Sequence, residues 1–276
     1  MTRATRRIIF YCAIIIFLAV TYVVLIYAQG YSYSFSERRF IRTGAIYIKV
    51  NTDATVLLNG AVTKTTSFLS NSAGLDGLLP GTYTVGVQKQ GYSSWQKKVE
   101  VQEGFVQDFS RIIILPLTGD DRNNVRKEIQ DLLYPVLVSP TPTVSATATP
   151  KPTPTPKPSP TPTPDQTAPY FILNGSLYVQ GAQGSERIAA NVIKVIPSED
   201  GQKIAWFTGG QLWVHWLNDT DYQPYHKAGD SLLLARFAYP IKAAAWFRDN
   251  DHIVFDANGF KVIEIDNRSA PNIINL

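Results

Sequence analysis

The chain has 276 residues, of which only 17% are charged, against roughly a quarter in ordinary soluble domains. Its net charge of +4 comes mostly from Arg3, Arg6 and Arg7, so the nearly balanced remainder offers no basic surface for nucleic acid. A single cysteine, Cys12, excludes an intrachain disulfide, a Cys-based zinc site and a CxxC redox pair, and the three histidines leave little material for a His-rich metal centre.

Residues 8–28 read IIFYCAIIIFLAVTYVVLIYA, without one charge. A helix of this length covers about 30 Å, the thickness of a hydrocarbon core. Tyr11, Tyr22 and Tyr27 lie towards its ends, where amphipathic rings favour the interface. The run exceeds the roughly 7–15 residues of a signal-peptide core, and Ile26-Tyr27-Ala28 is a poor cleavage site. The expectation is therefore an uncleaved signal anchor, single-pass in a cell membrane. Residues 1–7 form a cytoplasmic tail and the bulk of the chain is extracytoplasmic. Arg38, Arg39 and Arg42 on the far side weaken the charge asymmetry behind this orientation, but the short arginine-bearing tail and the long soluble remainder favour it. Cys12 then lies inside the bilayer as a packing residue.

Residues 43–117 read as short strands. The segments 45–50, 55–58, 82–89, 95–101 and 107–116 carry the apolar alternation, and Asn59-Gly60, Leu79-Pro80-Gly81 and Gln90-Gly91 mark turns. Six or so strands with such turns predict a small sandwich. Residues 63–77, rich in Ser, Thr and Gly, are expected to form a longer loop.

The run Ala54-Thr55-Val56-Leu57-Leu58-Asn59-Gly60, followed by Leu79-Pro80-Gly81-Thr82-Tyr83-Thr84-Val85 and Lys89-Gln90-Gly91-Tyr92, resembles the PEGA domain. The resemblance implies a β-sandwich of the kind found on bacterial and archaeal surface proteins, an accessory or binding module without catalytic residues.

Residues 118–138 hold a short helix and connector. Val125, Ile129, Leu132 and Leu133 form an apolar stripe, Asp120 or Asp121 can cap the start, and Pro135 ends it. The expectation is a helix leaning on the sandwich. Residues 139–168 are a Pro/Thr-rich linker, expected to be an extended polyproline II rod of roughly 90 Å.

Residues 169–276 repeat internally. Residues 197–214 overlay 246–263 at an offset of 49 without a gap: a polar turn, an apolar strand, a Gly-Gly or Asn-Gly turn and a second apolar strand. Phe171 to Val179 repeats the second half. A period of 40–50 with short strands is a propeller signature. Ser198-Glu199-Asp200-Gly201-Gln202-Lys203-Ile204-Ala205 resembles the start of a TolB-like β-propeller blade. Propellers close with about 4–8 blades, and this segment supplies two and a half. Either the blades make a compact β module alone or they close with other chains as a homo-oligomer.

The expected fold class is mainly β: an N-terminal transmembrane helix, a small PEGA-like β-sandwich, a Pro/Thr-rich linker and incomplete β-propeller-like blades. His215 alternates with Trp213 on one strand, and Trp206, Trp213 and Trp216 lie close in sequence. This is an aromatic platform or a blade core, and core is the better reading. His226 and His252 have no metal-ligand spacing with His215. Asn218-Asp219-Thr220-Asp221 lacks the further ligands of a calcium loop and reads as a turn, as does Asp249-Asn250-Asp251. Glu186, Glu199 and Glu264 nominate no glycosidase pair, and Tyr92 and Trp95 read as a packed strand face. No residue is assigned a catalytic, cofactor-binding or metal role, no cofactor is called for, and the ligand-binding residues are left unknown.

The function expected is a non-catalytic cell-envelope protein. Its partners are the lipid bilayer and an envelope polymer or surface protein. The alternatives are an extracytoplasmic sensor working with a membrane partner, and a wall-polymer-degrading enzyme.

Overall fold

In the computed structural model of the protein, residues 3–35, 37–135, 168–181 and 184–276 are described. The rod expected over 139–168 lies, but for its last residue, outside them. The uncharged N-terminal run sits within helix α1 (Arg3–Ala28), which buries none of its side chains. It is long and apolar enough to cross a membrane. The remainder is mainly β, built of several small sheets, none closed into a barrel. The chain divides into two units: residues 1–122 with 221–225 and 266–272, and residues 123–220 with 226–265 and 273–276.

The first unit begins with α1 and an antiparallel hairpin of β1 (Tyr31–Ser34) and β2 (Arg39–Arg42). Then come β3 (Gly44–Val50), β4 (Thr55–Leu58), β5 (Ala61–Thr65), β6 (Ser72–Leu78), β7 (Gly81–Gln88), β8 (Trp95–Val101) and β9 (Val106–Ile112). They make two sheets, ordered β6-β3-β9 and β5-β4-β7-β8, with β3 and β9 parallel. Alternation explains the core: Ile46, Ile48 and Val50 point inward from β3, and Trp95, Val99 and Val101 from β8. Trp95 meets Phe109 of β9 edge to face at 5.3 Å. Asn59 and Gly60 carry the β4–β5 turn at φ 52° and 82°, a conformation most side chains avoid and Asn-Gly tolerates.

The loop expected over 63–77 is instead largely strand. Every residue of β5 is exposed, so no buried face imprints a period of two. In β6 the inward residues Ala73 and Leu75 sit among glycines that read as loop.

In the second unit, α2 (Gly119–Leu133) starts just ahead of the unit's first residue and contributes buried Val125, Ile129 and Leu133. Leu132, counted with that stripe from sequence, is largely exposed. Three antiparallel meanders follow. The first is β10 (Tyr170–Leu173), β11 (Ser176–Gly181) and β12 (Gly184–Ala189). The second is β13 (Lys194–Pro197), β14 (Lys203–Phe207), β15 (Gln211–Trp216) and β16 (Ser231–Arg236). The third is β17 (Ala243–Trp246), β18 (His252–Asp256), β19 (Phe260–Glu264) and β20 (Ile273–Asn275).

The sheets stack face to face. Leu177, Ile204 and Trp206 lie in a core shared by the first and second sheets. Phe207, Val214 and Trp216 pack with Ile253, Phe255 and Ile263 between the second and third, and Trp246 Nε1 donates to the Ile196 carbonyl at 3.1 Å.

The ungapped offset of 49 needs correction. It relates β13 to β17 and β14 to β18, but the pairing slips by one residue at the next turn. Ile204 pairs with His215, whereas Ile253 pairs with Ile263. By face, β15 therefore corresponds to β19 at an offset of 48. In that turn of the second sheet Gly210 lets the chain after β16 approach closely: a Cβ there would stand 2.6 Å from the Phe237 carbonyl oxygen.

With the register corrected, Phe207 and Trp216 on the covered face of the second sheet correspond to Asp256 and Glu264 on the third. At these two positions the third sheet carries carboxylates where the second carries large apolar groups, and both carboxylates are buried beside Val254 and Val262. Helix α2 attaches to this sheet. Tyr134 donates to Asp256 Oδ2 at 2.7 Å, Arg248 forks onto Glu128 at 2.6 and 2.9 Å, and Arg126 lies over the Phe260 ring at 5.7 Å. The side-chain bonds of the helix thus run to the last sheet, where the sequence reading had it lean on the sandwich.

Candidate functional site

The aromatic residues singled out from sequence lie in the core of the second unit. Trp206 is buried and stacks against half-buried Trp213, with ring centroids 5.8 Å apart and planes 3° from parallel. Trp216 is buried on the opposite face of β15, with His226 stacked on it at 3.7 Å. Trp206 and Trp216 are too enclosed to offer a sugar a free face. Trp95 is likewise buried, and Tyr92 is half-buried with Lys89 over its ring at 4.8 Å.

His252 is buried in a network of charge. Its Nδ1 lies 2.9 Å from Asp249 Oδ2. Burial alone would push the imidazole down, but the Asp249 hydrogen bond and charge, with Glu264 and Asp251 nearby, outweigh it and hold the pKa above its ordinary value. Asp249 is held below its ordinary range: burial opposes this, and the bond to His252 prevails. Lys203, also buried, faces Asp251 at 3.5 Å and Asp200 at 3.8 Å. Each of these two buried cations thus has a carboxylate partner within the unit. Asp219 of the 218–221 turn takes the Lys227 ammonium at 2.7 Å and the Ala228 N–H at 2.9 Å. Among the described residues no group of three or more His, Cys, Asp or Glu is placed to hold a metal ion.

The concave feature of the second unit is a cleft of about 760 Å³ between the β10–β12 and β13–β16 sheets. Gln180 of β11 and Glu186 and Arg187 of β12 contribute to one wall, His215 of β15 and Ser231 of β16 to the other, and Asn218 to the loop at its edge. The register that sets His215 opposite Ser231 brings Nδ1 and Oγ to 2.8 Å. His215 is only 2% exposed. Burial pushes its pKa down, against the smaller pull of Asp230 and Glu186, so the ring is neutral at neutral pH. Its Nε2 is buried and has no hydrogen-bond partner among the described residues.

Chemically, the cleft offers a hydroxyl, two amides and one charge of each sign, over a buried neutral imidazole. That suits a neutral polar ligand rich in hydroxyl or amide groups. Ser231 and His215 are also two parts of a nucleophile–base pair. In a hydrolytic triad, however, the second imidazole nitrogen donates to a carboxylate, and Nε2 here does not.

Sequence reasoning flagged His215 and passed over Ser231. The residues between β15 and β16 form a long loop, and no periodicity carries register across it. Compared with family models, with curated proteins and with solved structures, the chain finds no match in any of the three.

Proposed function

We propose that the protein is a non-catalytic, membrane-anchored component of a cell envelope. Helix α1 holds it in the bilayer with the N-terminus cytoplasmic, and the two β units act outside as binding or scaffolding modules. The observation that carries this reading is α1 itself: an apolar helix with no buried side chain ahead of β-rich units. Such a helix in water would expose a continuous apolar surface, which soluble chains avoid.

The PEGA-like reading of residues 43–117 is supported by where the quoted motifs fall: Asn59-Gly60 in the β4–β5 turn, Leu79-Pro80-Gly81 leading into β7, and Lys89 to Tyr92 between β7 and β8. The propeller-like reading of 169–276 is supported by three successive meanders. The ligand, an envelope polymer or a surface protein, enters the His215–Ser231 cleft. The test is membrane fractionation of the full chain, followed by an alkaline wash and external protease on intact cells. Retention after the wash with external cleavage of both units is expected. Release by the wash would refute the anchor, and complete protection in intact cells would refute the orientation.

A hydrolytic reading is favoured by the 2.8 Å contact of Ser231 with His215. Envelope-polymer or ester hydrolysis lost in Ser231→Ala would establish it against the binding reading.

A further inference from the structure

Only Gln29 and Gly30 separate α1 from the β1–β2 hairpin, and hydrogen bonds fix the junction. The Thr43 N–H and hydroxyl both donate to the Gly30 carbonyl at 2.8 Å, and the Gly30 N–H donates to the Tyr27 carbonyl at 3.0 Å. The hairpin base is thus held within one helical turn of the end of α1. Phe40, two residues further out than Arg42, meets Tyr27, the penultimate residue of α1, edge to face at 6.2 Å. Tyr33 pairs across the strands with Phe40 at 5.3 Å, and Phe35 continues the chain of rings at 5.2 Å.

This row of rings is not a core. Phe35 is 87% exposed and Phe40 is exposed as well, although each exposed aromatic ring carries a large apolar area. Residues 31–42 also hold Arg38, Arg39 and Arg42 against a single acid, Glu37, which pairs with Arg39. A groove of about 530 Å³ opens beside the base, where Tyr27 and Tyr31 face Phe105, itself largely exposed.

We propose that the β1–β2 hairpin is a second membrane contact. It lies in the outer headgroup layer beside α1, with Phe35 and Phe40 at the acyl boundary and its arginines on the phosphates of anionic phospholipids. This rests on the reading of α1 as a membrane span. Given that span, the apolar run ends at Ala28, and the headgroup layer beyond it is about 5–8 Å deep. The hairpin base falls within that depth, and the Phe40–Tyr27 contact keeps the hairpin's rings beside the end of the span. Aromatic rings with neighbouring basic residues are the composition this layer favours. The consequence is orientational: a helix alone leaves the first unit free to swivel over the membrane, and a hairpin set in the headgroups fixes its rotation.

The experiment uses the full chain in vesicles of phosphatidylcholine, with or without phosphatidylglycerol. A nitrobenzoxadiazole label is placed on native Cys12 or, in a Cys12→Ser background, on Phe35→Cys or Phe68→Cys. Phe35 and Phe68 are both nearly fully exposed, so neither substitution opens a cavity. We expect position 12 to be quenched by tail-borne nitroxides and position 35 by nitroxides near the headgroup with blue-shifted emission, while position 68 emits as in water. We also expect phosphatidylglycerol to raise quenching at position 35 about twofold, and Arg38→Gln with Arg42→Gln to abolish that rise. If position 35 behaves like position 68 while position 12 is deep, the hairpin proposal fails and the span stands. If position 12 is not quenched, both fail. Shallow quenching at position 35 that ignores phosphatidylglycerol overturns the arginine–phosphate part.

Discussion

Removing the side chain of Ile129 tests whether α2 is an integral part of the second unit. Ile129 is completely buried, in the stripe with Val125 and Leu133, while the polar bonds of the helix run to the β17–β20 sheet. Ile→Ala at a buried site costs about 2–5 kcal/mol through lost transfer energy and the cavity left behind. A helix at the end of a stack can settle into part of that cavity, so about 3 kcal/mol is expected. At a urea slope of about 1.5 kcal/mol/M for a unit of this size, the midpoint falls by about 2 M. The assay is tryptophan emission in a Trp95→Phe background, because Trp206, Trp213, Trp216 and Trp246 all belong to the second unit. Hydrogen exchange should show protection lost in α2 and β17–β20 and kept in β3–β9. A midpoint shift below about 0.5 M, or loss of protection centred on β3–β9, would refute the assignment.

Asp249→Asn should lower the stability of the second unit by about 2 kcal/mol near pH 5.5, the scale of a hydrogen bond to a charged group. Because the folded pKa of His252 is raised, its contribution is complete below the ordinary histidine value and fades as pH rises through the folded one. The depressed Asp249 contribution is present above its ordinary value of 3.8 and fades as pH falls below it. The gap between wild type and variant, measured by urea unfolding across pH, should therefore be widest between about 4 and 6.5 and narrower at pH 9; a constant gap would contradict the linkage. Ser231→Ala should cost about 1 kcal/mol and alter the His215 ring resonances in NMR, while leaving those of His252 in place. Gly60→Val forces a β-branched residue to φ 82° and should cost about 2 kcal/mol, read as a lower melting temperature by Trp95 emission in the first unit.

What could be read from sequence depended on whether an element had one buried face. In β3 and β8 every second residue is buried, and the period of two is plain in the letters. In β5 nothing is buried, and among its described residues the β1–β2 hairpin buries only Ser34 and Ile41, so neither leaves a pattern to find. Helix α2 was marked by Val125, Ile129 and Leu133, but an apolar stripe does not name the surface it meets. The cleft was less legible still. His215 stood out as a rare residue on an aromatic strand, whereas Ser231, Gln180 and Arg187 became its companions only through strand pairing and sheet stacking.

The one-residue slip between the second and third sheets changes how the short repeat is understood. At a rigid offset of 49, Leu212 falls on Lys261 and Val214 on Ile263, which suggests a decayed copy with faces in disorder. At the offset of 48 that strand pairing supports, Leu212 matches Phe260 and Val214 matches Val262, and the departures concentrate at Phe207/Asp256 and Trp216/Glu264. Both lie on the face turned away from the second sheet, and both carboxylates are buried. Here the last sheet carries carboxylates on that face, one of them held by Tyr134 at the end of α2. Helix α2, through Tyr134, thus meets the third sheet on the face that bears these two carboxylates.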